Sequence, residues 1–425
     1  EQKPFCLDQG IRFLGSISIA STMIFKSSSL IQQILKSQFK SKFFSSGVSS
    51  LKVVWKKDRM LDLAILQDKN YKLCYRVVKE VLNEPGQLMP LRYLEKRRER
   101  LRLKVKIKTF IHRNPLLFDT YLDRIRPKSE LVPFLRISDR LKEFLAEEKR
   151  IYTENEALIV SKLCKMLMMA TNKVISVDKL TYVKREFGFP NDFVTNLVPK
   201  YSNYFQLVGT PGEGTLFLKL NDWNPNFAKS VVEMKAEEES RATGIPVRPN
   251  FNYKLPSGFY LKKEMKEWVY DWLEMDYISP YADVSNLSQS SPEMEKRTVG
   301  VFHELLSLSL NKRVPVALLG KFTEDYRFSN AYTNVFTRHP GIFYMSLKEG
   351  IKTAFLREAY KGSELIYRDP LLEIKDKFMQ LVKEGWLRAE ELRLEKTNLV
   401  NDEEMAALSS AEESDGHDHD LEDRL

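Results

Sequence analysis

The chain has 425 residues, 43% hydrophobic and 11% aromatic, enough to bury a core and to fold as two or three globular units of an ordinary soluble protein. Its formal charge is +9, but residues 401–425 hold ten acids against one Arg, so the rest carries 66 basic and 48 acidic side chains, a surplus that favours a polyanion such as RNA, DNA or anionic lipid. Cys6, Cys74 and Cys164 are too few and too scattered for a disulfide framework or a thiolate metal site.

Residues 1–50 read as an upstream segment and an organellar transit peptide. From Met23 to Lys57 there is no acid; Lys26, Lys36, Lys40 and Lys42 are interleaved with serines, and Leu30, Ile31, Ile34 and Leu35 fall at helical spacing. A disordered basic arm is the plainer reading. The semi-apolar run from Phe13 to Phe25 is shorter than the roughly 20 residues a membrane span needs, and no span is expected elsewhere.

One pattern then occurs three times, in units at about 75–140, 156–221 and 298–360. Each unit has a short apolar segment leading into a helix (QLMPLRYLEKRRER, KVISVDKLTYVKREFG, KRVPVALLGKFTEDY). A second helix ends shortly before a landmark Phe (KTFIHRNPLLF, TNLVPKYSNYF, TNVFTRHPGIF). Counting back from Phe118, Phe205 and Phe343 gives apolar stripes Ile107, Phe110, Ile111; Val194, Leu197, Val198; and Tyr332, Val335, Phe336. Two strand-like runs around a turn follow each Phe: FDTYL and VPFLRI, FQLVG and TLFLKL, FYMSL and KTAFLRE. The fold class is therefore α+β, predominantly helical, with repeated helix–helix–β-hairpin units of winged-helix-like plan. Residues 222–297 intervene between the second and third units, with an acidic helix and a helix whose Trp268 and Trp272 should face the core. Residues 386–425 should finish a C-terminal helix and continue as a disordered acidic tail.

The densest charge is at Arg92–Arg113, where Arg97, Arg98, Arg100, Arg102, Lys104, Lys106, Lys108 and Arg113 stand with few acids. Residues 100–108 alternate charged and apolar, as in a strand; the repeat comparison favours a helix burying Leu103, Ile107, Phe110 and Ile111. Five residues before each landmark Phe stands a cation, Arg113, Lys200 or Arg338, which either caps the helix end or contacts a phosphate. Lys184, Arg185, Lys312 and Arg313 should extend this basic surface. A solvated basic face is the alternative for all of them.

No catalytic signature and no cofactor site is expected. His303-Glu304 lacks the second His of a zinc-protease helix, and Gly209–Gly214 lacks the Lys-Ser/Thr of a phosphate loop and reads as a hairpin turn. His417 and His419 lie in a tail that rarely builds a specific metal site.

Several long strings, among them VVKEVLNEPGQLMPLRYLEKRR, FIHRNPLLF, ENEALIVSKLCKMLMMATNKVISVDKL, LPSGFYLKKEMKEW and FTRHPGIFYMSLKEGIKTAFLREAY, resemble the plant organelle RNA recognition (PORR) domain family, including its What's This Factor and Root Primordium Defective branches. The resemblance covers about Leu51 to Tyr367, within a region taken as 51–385. It implies an RNA-binding protein, not an enzyme, that promotes splicing of group II introns as part of a ribonucleoprotein. Its partners would be organellar intron RNA and other splicing factors, in the mitochondrion or alternatively the chloroplast. It carries no catalytic residues to transfer. A scaffold, or a ribosome- or membrane-surface adaptor, is the rival function.

Overall fold

The computed structural model describes residues 56–414 except 210–213 and 257. The expected transit segment and His417 and His419 lie outside the described residues. Helix α1 (Arg59–Gln67) starts at Asp58, whose carboxylate accepts from the backbone N–H groups of Met60 and Leu61 at 3.1 and 3.2 Å. The first unit follows: α2 (Lys69–Leu82), β1 (Leu88–Pro90), α3 (Leu91–Lys96), α4 (Ile107–Arg113), β2 (Phe118–Arg124) and β3 (Leu131–Ile137). After α5 (Asp139–Glu154), the second comprises α6 (Glu156–Met169), β4 (Val174–Ser176), α7 (Val177–Phe187), a π-turn at 193–197 running into α8 (Val198–Lys200), β5 (Phe205–Val208) and β6 (Phe217–Leu220).

Helices α9 (Val231–Thr243) and α10 (Lys263–Glu274) occupy the intervening segment. The third unit has α11 (Pro292–Leu308), β7 (Arg313–Pro315), α12 (Val316–Leu319), α13 (Asn334–Arg338), β8 (Phe343–Ser346) and β9 (Thr353–Leu356). A two-stranded ribbon, β10 (Tyr360–Lys361) and β11 (Glu364–Leu365), precedes the long helix α14 (Leu372–Ser414).

The fold is thus α+β and predominantly helical, and all three expected hairpins form. In each unit the short first strand also joins the sheet, giving the antiparallel orders β1-β3-β2, β4-β6-β5 and β7-β9-β8, with Leu88 opposite Arg136, Ile175 opposite Leu218 and Val314 opposite Ala354. The residue before each first strand is left-handed: Gln87, Lys173 and Lys312 have φ of 57°, 57° and 50°. Lys173 and Lys312 then reach back to helix-end carbonyls, Met168 O and Ser307 O, both at 2.6 Å.

One continuous core runs through the three units, from Cys74 to Val382. Helix α2 contributes Cys74, Val77, Val78 and Val81, one face at the i, i+3, i+4, i+7 spacing of a helix, each side chain contributing about 1.5–3 kcal/mol on full burial. Trp268 and Trp272 are buried as expected, with the ring of His339 4.3 Å from that of Trp272. Buried ions tie distant elements: Asp68 meets Arg313 of β7 and Lys375 of α14, and Glu304 of α11 accepts from Lys165, Tyr281 Oη and the Val231 N–H at 3.0, 2.8 and 2.8 Å.

Three expectations are corrected. The basic run is no continuous helix: α3 stops at Lys96, and residues 97–106 form turns and loop until α4 begins at Ile107. Like charges at helical spacing repel there, whereas alternation lets Leu101, Leu103 and Ile107 point inward and Arg102, Lys104 and Lys106 outward. Lys312 and Arg313 belong to the interior rather than to a basic surface: Arg313 pairs with Asp68, and burial pushes the Lys312 ammonium down to about 8. Third, the expected disordered tail is helical as far as Ser414, Asn401–Ser414 being rich in the helix formers Glu, Ala, Met and Leu.

Candidate functional site

Asp68 stands at the N-cap of α2, but the first turn that follows contains no acid; Lys69 and Lys72 stand there instead. Cations at a helix N-terminus oppose the macrodipole, so this arrangement is not explained by helix stability. With Arg76 and Lys79 they form a stripe of three-, four- and three-residue steps along one side of α2. The stripe borders a cleft of about 1620 Å³, walled by α2, the 102–105 loop, α4, the turn of the third hairpin at Glu349 and Ile351, and α14.

Seven cations line that cleft against two acids, Glu349 and Glu390. Lys69, Lys72, Arg76, Arg102, Lys104 and Arg113 make no ion pair among the described residues, and Arg393 only grazes Glu390 at 3.9 Å. Arg76 donates to Leu101 O at 2.7 Å, which fixes its guanidinium. Burial, then repulsion from Arg102 and Arg185, depresses the Arg76 pKa, with Glu349 opposing. Such unrelieved crowding of positive charge is what an anionic ligand would neutralise. Arg102 itself sits at φ 51°, a left-handed backbone that costs a non-glycine residue about 1–2 kcal/mol.

A smaller neighbouring cleft of about 180 Å³ shares Lys72 and Arg76 and adds Lys79, Lys184 and Arg185, together with the acids Asp68, Glu148 and Glu186. Arg185 lies over the rings of Tyr71 and Tyr75, 5.6 and 5.8 Å from their centroids. Burial and then the charge of Lys79 lower the Lys184 pKa. The cations of α2 therefore continue from one cleft to the next, where the second cleft sets acids among them.

The residues singled out in the sequence divide into three sets. Arg102, Lys104 and Arg113 meet in the large cleft, and Lys184 and Arg185 in the small one. Lys106 and Lys108 are exposed but line neither cleft. The others are occupied within the protein: Arg97 by Glu80 and Glu84, Arg98 by Glu95, Arg100 by Glu80, Lys200 by Glu156 at 2.5 Å and Arg338 by Glu295 at 3.0 Å. Lys69, Lys72, Arg76, Lys79, Trp386 and Arg393 were not anticipated. The acid-free first turn and the three-four-three spacing of the α2 cations are visible in the sequence and could have identified the first four.

No group of three or more His, Cys, Asp or Glu side chains placed to hold a metal occurs among the described residues. None of the described helices is long and apolar enough to cross a membrane.

Comparison with known proteins matches residues 56–387 to the plant organelle RNA recognition domain. The chain is 36% identical over 336 residues to the Arabidopsis thaliana protein WHAT'S THIS FACTOR 1 homolog, chloroplastic, covering 77% of this chain and 62% of that protein. It is 35% identical to the Zea mays protein WHAT'S THIS FACTOR 1, chloroplastic, over 79% of this chain and 68% of the relative. The Arabidopsis protein WHAT'S THIS FACTOR 9, mitochondrial, is 25% identical over 78% of this chain and 85% of its own length. The chain thus spans less than two thirds of the first of these relatives. No solved structure matches it.

Proposed function

Because the chain belongs to the plant organelle RNA recognition domain family, we propose that it binds organellar RNA along the paired clefts of α2 and promotes the splicing of group II introns. The observation that carries this reading is the large cleft with seven cations against two acids, at a helix start where stability alone would favour acids. Phosphates entering it would meet Lys69, Lys72, Arg76, Arg102, Lys104 and Arg113, and those in the smaller cleft Lys184 and Arg185. The protein's part is physical: it neutralises phosphates where intron segments converge and holds them in a splicing-competent arrangement, while the intron supplies the reacting groups. Other splicing factors would join the same ribonucleoprotein.

Two of the relatives described above carry "chloroplastic" in their names at 35–36% identity, against 25% for the mitochondrial one. This similarity favours the plastid, the alternative given above, over the mitochondrion expected first. A fluorescent fusion of the full-length protein, imaged in plant cells, distinguishes the two.

Binding of the full chain to a fluorescent intron RNA, titrated across salt concentrations, tests the site. Lys72→Ala and Arg113→Ala should each weaken binding and each reduce the slope of log K against log[salt] by about 1. Lys200→Ala, whose side chain is already paired with Glu156, should leave the slope unchanged. Equal effects from all three substitutions would move the interface away from α2.

A further inference from the structure

The walls of the large cleft are cationic, but much of its lining is apolar: Leu73, Val105, Phe110, Ile351, Trp386 and Leu392. Neutralising phosphates does not require such a floor. Trp386 is held in a fixed pose, its indole N–H donating to Asn114 Oδ1 at 3.0 Å while Asn114 Nδ2 donates to Phe110 O at 2.7 Å. Asn114 is buried, so the ring is anchored from below. Further along the same helix, α14, Leu392 is half exposed and lines the cleft too. The cleft exceeds the roughly 300–1,000 Å³ of ordinary small-molecule pockets, so a segment of polymer suits it better than a free metabolite.

A duplex and a single strand would meet this shape differently. An A-form helix is convex and keeps its base faces stacked inside, so it reaches only the cationic rim. A single strand can lay a base on an apolar floor while its phosphates stay at the rim. We propose that the cleft receives an unpaired nucleotide of the bound RNA, its base against Trp386 and Leu392 and its flanking phosphates on Arg102, Lys104, Arg113 and Arg393. The inference rests on the RNA-binding reading above and adds to it a strand preference and an aromatic anchor. Part of the wall, from Ala389 to Thr397, lies beyond the segment matched to the family, so this end of the pocket is built outside the matched domain.

The test compares binding of the full chain to a fluorescent single-stranded RNA with binding to the same RNA annealed to its complement, at fixed salt. The single strand should bind more tightly. Trp386→Ala should weaken single-strand binding by roughly ten- to a hundredfold, the range expected for loss of one base–aromatic stack, and should leave duplex binding unchanged. Its salt slope should match that of the unsubstituted protein, because no phosphate contact is removed, whereas Arg113→Ala lowers the slope. Trp386→Phe, which keeps a ring, should retain most of the affinity. Should Trp386→Ala unfold the chain, Leu392→Ala at its half-exposed position reads the same floor, with a several-fold loss confined to the single strand. Equal affinity for both RNAs, with no loss in Trp386→Ala while Arg113→Ala still weakens binding, would overturn the base pocket and leave the RNA reading standing. Failure to bind either RNA would overturn both.

Discussion

The first and third units share a strand order and a cation five residues before the landmark Phe, yet they use that cation in opposite ways. In the third unit Arg338 closes on Glu295 from the first turn of α11; in the second, Lys200 closes on Glu156 from the first residue of α6. In the first unit the corresponding turn of α2 carries Lys69 and Lys72, and Arg113 is left facing the cleft. The same position is paired or left open to the cleft according to the sign of its neighbour on another helix. Charge also turns inward in the third unit, where Lys296 donates to the carbonyls of Trp272 and Leu273 at 2.9 and 3.2 Å and Arg297 to that of Tyr326 at 3.0 Å. Positive charge is thus spent on holding loops in one unit and displayed in the other.

The most disruptive way to probe that contrast is at the joint between the two units. Asp68 precedes α2 and pairs with Arg313 and Lys375, all three within the folded body. Asp68→Asn should cost about 3–5 kcal/mol in chemical denaturation, because it leaves the Arg313 guanidinium buried without a counter-charge. Burial pushes the Asp68 carboxyl up, but Arg313 and Lys375 together outweigh it and hold the pKa below the ordinary 3.8. A carboxylate depressed on folding contributes stability above pH 3.8 that is lost as pH falls through the folded pKa. The melting temperature of the unsubstituted protein should therefore drop more steeply in acid than that of Asp68→Asn. Parallel acid profiles would show that the pair contributes little to the join.

A smaller change tests the contrast directly by giving α2 the acid that its counterparts have. Lys69→Glu places a carboxylate at the N-terminal turn, where the dipole favours it by about 0.3–1 kcal/mol, in the cleft that Arg113 also lines. Thermal stability should rise slightly while RNA affinity falls several-fold, since the cleft loses one cation and gains one anion. Opposite signs in the two measurements mark a surface shaped for binding. A fall in both would mean that Lys69 has a structural role instead.

The hairpins and the short helices before each landmark Phe were legible because alternation and i, i+3, i+4 spacing report burial locally, as Ile107 and Phe110, Leu197 and Val198, and Val335 and Phe336 show. The cleft was not, because it is assembled from α2, α4, the third hairpin and α14, whose meeting is set by the shared core. Arg97, Arg98 and Arg100 illustrate the limit: their density is obvious in the sequence, but Glu80 on α2 and Glu84 just beyond its end, more than ten residues away, neutralise Arg97 and Arg100. Residues 100–106 follow their own period-two pattern, with Leu101 and Leu103 buried, whereas from Ile107 the helix that the internal repeat implies does form.

The finest difference between the units lies at the left-handed residue before each first strand. Lys173 and Lys312 offset their backbone strain by bonding helix-end carbonyls, whereas Gln87, at φ 57°, is exposed and makes no side-chain hydrogen bond among the described residues. A left-handed non-glycine residue costs about 1–2 kcal/mol, and glycine gives back about 0.5–1 kcal/mol through its freer unfolded chain. Gln87→Gly should therefore stabilise the protein by about 0.5 kcal/mol in urea denaturation. Lys173→Gly relieves the same strain but loses the 2.6 Å bond to Met168 O, worth about 1 kcal/mol, and should show no gain. Equal gains from the two substitutions would mean that the lysine bond contributes nothing and that the three turns differ only in sequence.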